Sequence, residues 1–144
     1  MKKRYGAILG IVVVLAGLFT AQSANAAGVW QPYPGGFTTP SNWTCGLTLN
    51  GPKLSAQTCV VRSGDYTQSA TIVRNRTSSL VTTQVAARLV NDGPYPITTA
   101  NCLASGVGAN SVSVCFSPTV LGGVSVASVA TVSGIYGELF GGFA

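Results

Sequence analysis

The chain has 144 residues, 47% hydrophobic and 8% charged, with eight basic residues against three acidic ones and no histidine. The missing histidine excludes Ser-His-Asp and Cys-His catalysis, most zinc sites and the usual general base near neutral pH. Low charge together with abundant Val, Thr, Ser and Gly disfavours amphipathic helices and favours an all-β chain.

Residues 1–26 read as a cleavable export signal. Lys2, Lys3 and Arg4 form its charged start, Ala7 to Phe19 its apolar stretch, and Ala24, Asn25 and Ala26 a small-x-small cleavage site. The apolar stretch of 13 residues is shorter than the roughly 20 that span a bilayer as a helix. No cysteine near the cleavage point offers a lipid attachment site, and no adjacent arginines point to twin-arginine export. The expected product begins at Ala27 and is secreted, extracellular and free of the membrane. The short signal and its style suggest a bacterial source. Three basic residues leave with it, so Lys53, Arg62, Arg74, Arg76 and Arg88 face Asp65, Asp92 and Glu138, a net charge of +2. Arg74, Asn75 and Arg76 could touch an anionic polymer, but two arginines without interleaved aromatics lack a nucleic-acid footprint and read as a solvated turn.

Residues 27–43 form an arm rich in Pro, Gly and aromatics. Trp30, Tyr33, Phe37 and Trp43 alternate with Pro32, Pro34, Gly35, Gly36 and Pro40, a composition that rules out a regular helix or a central strand. If exposed, the arm is an aromatic platform for a sugar or a protein partner. If folded back, it closes one end of the domain, with Trp43 in the core beside a disulfide. Trp30, Tyr33 and Phe37 are its candidate binding residues.

Residues 44–144 are expected to form one β-sandwich domain. Strands are read near 44–49, 57–62, 66–75, 80–90, 111–117 and 123–133, with a seventh near 135–140. In the fourth of these Val81, Thr83, Val85, Ala87 and Leu89 share one face; in the fifth, Val112, Val114 and Phe116 do. Turns at Asn50, Gly51 and Pro52 and at Asn91, Asp92, Gly93 and Pro94 separate them. This spacing suggests a small antiparallel two-sheet, Ig-like sandwich, although the tryptophan expected between an inter-sheet cysteine pair is absent.

Four cysteines allow three pairings. Cys45 and Cys59 lie symmetrically about Pro52, and Cys102 and Cys115 about the Gly106–Asn110 segment, which favours bridges 45–59 and 102–115. Metal binding is disfavoured by the absence of Cys-x-x-Cys spacing and of histidine, and by the oxidising destination. The strings Trp43-Thr44-Cys45-Gly46, Gln57-Thr58-Cys59-Val60-Val61 and Val114-Cys115-Phe116-Ser117-Pro118-Thr119 resemble those of small secreted actinobacterial proteins without assigned activity. That resemblance implies a fold and a habitat, and no functional residues.

The remaining chemistry is sparse. Lys53, the single lysine after the signal, adjoins Pro52 in a turn and forms no Ser-x-x-Lys pattern. Asp65 and Asp92 sit in turn sequences, and Glu138 is the one acid without an evident structural use. Gly106 and Gly108 lack the rest of a nucleotide loop. No enzyme activity, metal or cofactor is expected. The expectation is a non-enzymatic extracellular binding or surface-interaction module, its partner a cell-wall polymer, a glycan or an extracellular protein. The alternative is an inhibitor of a secreted hydrolase, acting through the loop that holds Tyr95 or the one between Cys102 and Cys115.

Overall fold

A computed structural model describes residues 26–92, 95–122 and 125–143; apart from Ala26, the expected export signal lies outside them. Among the described residues twelve strands follow one another: β1 (Ala26–Ala27), β2 (Val29–Pro32), β3 (Trp43–Cys45), β4 (Leu49–Asn50), β5 (Leu54–Ser63), β6 (Tyr66–Asn75), β7 (Val81–Val90), β8 (Thr98–Val107), β9 (Val112–Phe116), β10 (Val120–Leu121), β11 (Ala127–Val132) and β12 (Leu139–Phe140). No helix occurs among the described residues.

The strands form two sheets. One has the order β1-β8-β7-β11-β12; the other has the order β2-β9-β6-β5-β3, with β10 added to β6 and β4 to β5. Every pairing is antiparallel except the two-residue contact of β1 with β8. The period-two reading located β6 at its full length and β5, β7, β9 and β11 within a few residues. The segment read as 44–49 is two short strands, β3 and β4, and of 135–140 only Leu139–Phe140 pairs.

That reading omits the short β1, β2 and β10 and one long strand, β8. Its sequence is polar and contains Gly106, and an irregularity breaks its period. Val85 pairs with Cys102 while Thr83 pairs with Ser105, so Leu103 and Ala104 together oppose Gln84. This bulge shifts the parity of the strand, which lets Ala100, Cys102 and Val107 all be buried although they do not alternate evenly.

Between the sheets lie two apolar clusters. The larger gathers Leu54, Val73, Val85, Val107, Val132 and Leu139 at one end, and the smaller gathers Val60, Leu89 and Val126 toward the other. A chain of buried hydroxyls joins the sheets. Ser128 Oγ on β11 lies 2.7 Å from Thr58 Oγ1 and 2.6 Å from Ser69 Oγ, and Thr58 Oγ1 lies 2.9 Å from Thr71 Oγ1. All four side chains are fully buried, so each needs these partners.

Both disulfides form as the spacing suggested, in different settings. Cys45 and Cys59 are direct register partners on β3 and β5, with Cα atoms 4.0 Å apart. Cys102 on β8 and Cys115 on β9 belong to different sheets, so their bridge, with Cα atoms 6.0 Å apart, ties the two layers together. Gly28 crosses this bridge as the chain passes from β1 to β2, and a Cβ there would lie 2.5 Å from Cys102 Sγ. At the opposite edge the segment after β12 runs against β5: Gly141 donates its N–H to Ser128 O at 2.7 Å and packs on Thr58 and Cys59. The segment around Gly28 and the one after β12 thus close the two open sides between the sheets.

Candidate ligand-binding face

The arm starts and finishes on opposite edges of the seven-stranded sheet. β2 pairs with β9, β3 pairs with β5, and β6 lies between them. Residues 33–42 therefore cross the outer face of that sheet as a strap. Register places Cys59, Ala70 and Phe116 in one row and Ile72 and Val114 in the next. These side chains, apolar and turned away from the other sheet, form the floor on which Tyr33, Phe37 and Trp43 pack. The apolar alternation of β9 that the sequence displays is thus satisfied beneath the strap, while Cys115 points inward.

Ring contacts fix the strap. Trp43 reaches over the small Ala70 to meet Phe116 edge-on, with centroids 5.8 Å apart at 81°, and Tyr33 stacks on Trp43 at 5.7 Å and 21°. The Tyr33 hydroxyl donates to Thr38 O at 2.6 Å, closing the turn that holds Gly36 at φ 62°. Asn42 Nδ2 donates to Arg62 O at 2.7 Å and Arg62 N–H returns the bond to Asn42 O at 3.0 Å. Trp43 does adjoin the first disulfide, on the outer face and not between the sheets.

The candidate binding residues occupy three settings. Trp30 turns inward against the larger core cluster, and its Nε1 donates to Leu103 O at 2.8 Å, at the bulge of β8. Tyr33 and Phe37 are half-buried in the strap. Tyr95, 81% exposed, stands in the β7–β8 loop. The structure therefore brings Tyr33 and Phe37 together on one face and leaves Tyr95 elsewhere.

Two clefts flank β2 on this face. One, of about 570 Å³, is lined by Pro32, Tyr33, Pro34, Arg74, Asn110 and Ser111 among others. Asn110 holds φ at 52°, a left-handed conformation that Asn accepts more readily than most residues, and donates its N–H to Thr77 O at 2.9 Å. The other cleft, of about 600 Å³, is lined by Val29, Gln31, Gln68, Phe116 and Pro118. Because Val29 and Tyr33 are four residues apart along one extended segment, the clefts are spaced roughly 13 Å apart along the strand direction. Sequence reasoning passed over Val29, Gln31, Phe116 and Asn110, since only the sheet register joins β2 to β9.

The acids do not assemble. Glu138 Oε1 accepts from Arg88 at 3.2 Å, both side chains 43% exposed, which gives that acid a structural partner. Asp65 lies in the β5–β6 turn, where its carbonyl accepts from Gly122 N–H at 2.7 Å. Among the described residues no three His, Cys, Asp or Glu side chains converge as a metal site. Comparison of the chain with protein-family models, with curated proteins and with solved structures finds no match.

Proposed function

We propose that this protein is an exported, non-enzymatic binding module that engages an extended ligand along the outer face of its seven-stranded sheet. The observation behind this reading is the strapped face: Tyr33, Phe37 and Trp43 pack over one sheet face on a floor that includes Phe116, with an open cleft at either end of β2. Aromatic rings held rigid beside exposed amide and hydroxyl groups suit the apolar and polar sides of a sugar, with little entropy lost on binding. Export accords with the two disulfides, which persist in oxidising compartments, and with the signal read in residues 1–26. We read the architecture as an Ig-like sandwich variant of the small secreted actinobacterial kind: two packed sheets and an inter-sheet bridge support this, while the outer-face tryptophan and intra-sheet first bridge are its departures.

The test is retention of the oxidised, exported protein on washed cell walls from its producer. Retention that is lost when Gln31→Ala and Tyr33→Ala are combined, with the melting transition still cooperative, supports the reading. A second reading, inhibition of a secreted hydrolase, draws on the exposure of Tyr95. Recovery of one stoichiometric hydrolase from the culture medium, released by Tyr95→Ala and untouched by the β2 variant, would favour it instead.

A further inference from the structure

Among the described residues three of the five cations gather at one end of the β5–β6 hairpin, while Arg62 lies toward its opposite turn. Arg76 N–H donates to Lys53 O at 2.9 Å, and Arg74 pairs in register with Ser55, so Lys53, Arg74 and Arg76 share the end where β5 begins and β6 finishes. Asp65 lies at the far turn of the same ten-residue hairpin, roughly 30 Å away. Asp92 follows β7 beyond Leu89, which packs with Val60 toward that far end. Glu138 is paired with Arg88. Among the described residues, then, three cations stand at one end with no carboxylate beside them.

The basic end is preorganised. Asn75, between the two arginines, is fully buried, and its side chain is saturated: Nδ2 donates to Ser79 O at 2.7 Å and Val107 O at 2.9 Å, while Oδ1 accepts from Thr77 N–H and Thr77 Oγ1–H. The Arg76 guanidinium donates to the Gly51 carbonyl. Arg74, by contrast, is exposed on the outer face, and no hydrogen bond or ion pair holds its guanidinium among the described residues. It opens into the cleft shared by Tyr33, Pro34, Asn110 and Ser111.

We infer that the ligand of this face is a linear polyanionic glycan or polyol, whose carboxylate or phosphate groups are read by Arg74 and drawn in by Lys53 and Arg76, while Tyr33 packs against the adjacent apolar ring or chain. The inference rests on the reading proposed above and names its ligand class. A guanidinium offers a bidentate fork to a carboxylate or phosphate. The proline and tyrosine beside it supply the flat apolar contact that a bare ion would not use. The uncharged cleft at Val29 and Gln31 then takes the next part of the same polymer.

The experiment is calorimetric titration of the oxidised, exported protein with polygalacturonate, with a glycerol-phosphate polymer and with dextran, for the native chain, Arg74→Gln and, as a control at the other end, Asp65→Asn. Binding of either anionic polymer, weakened by salt and reduced roughly tenfold or more in Arg74→Gln but unchanged in Asp65→Asn, is the expected result. Which anionic polymer binds identifies the source of the charge. Dextran bound as tightly as the polyanions, or polyanion binding indifferent to Arg74→Gln, overturns the inference. If the protein is nonetheless retained on cell walls through Gln31 and Tyr33, the binding-module reading survives that failure; if wall retention is also absent, both fall. Arg74 is exposed, so the variant folds, and an unchanged melting temperature verifies it.

Discussion

Gly28, Gly46 and Gly141 occupy places where the backbone itself is the packing surface. A Cβ at Gly28 would meet both sulfurs of the inter-sheet disulfide, and one at Gly46 would overlap the carbonyl of Phe140. Gly28→Ala is therefore expected to lower stability by about 2 kcal/mol or more, since neither sulfur can move without parting the sheets. Gly46→Ala should instead peel away the segment after β12 and speed its proteolysis. Both are readable by thermal melts and limited digestion against the native chain. Ser128 makes a different kind of demand. Its hydroxyl serves Thr58 and Ser69 at once, so Ser128→Ala leaves two buried hydroxyls each short of a partner, a loss of about 1–3 kcal/mol in denaturant unfolding. An unchanged midpoint would show that the hydroxyl chain contributes nothing to joining the sheets.

Among the elements, legibility followed regularity. β7 alternates along its length, and the sequence shows it plainly; Thr83, Val85, Ala87 and Leu89 are buried as their common face predicts, whereas β6 is buried on both faces from Ser69 to Val73, between the other sheet and the strap. β8 hides because its bulge exchanges faces midway, and its buried Cys102 and Val107 fall out of phase. The strands of two residues carry too few side chains to show any period. The strap was visible as a composition and not as a path, because its position depends on β2 pairing with β9, far along the chain, while β3 pairs with the nearby β5. The disulfides were legible as pairs, yet only the fold shows that one staples a hairpin and the other two sheets. Each closes a loop with a sequence separation of 14 or 13 residues, worth about 3 kcal/mol in the chain-entropy account. Replacing Cys102 and Cys115 by Ser should cost about that much and also loosen the edge that Gly28 crosses, seen as faster amide exchange in β1, β2 and β8. At the same edge, Trp30→Phe keeps the apolar packing and removes the Nε1 bond to Leu103, for an expected loss of about 1 kcal/mol.

At the scale of the whole molecule, the inner faces hold the structure together and the outer face of the seven-stranded sheet is what the strap makes distinctive. The basic end and the aromatic strap meet at the cleft between Tyr33 and Arg74, so shape and charge converge on one place. None of that convergence was readable from the chain, where Tyr33, Arg74 and Asn110 stand far apart and Arg74 reads as part of a solvated turn. The measurement that tests it most directly is amide chemical-shift mapping on isotope-labelled, oxidised protein titrated with solubilised cell-wall polymer. Shifts confined to Val29–Gly36, Arg74 and Asn110–Phe116 are the result predicted here. Shifts centred on Tyr95 and the β7–β8 loop, with the strap unmoved, would contradict it.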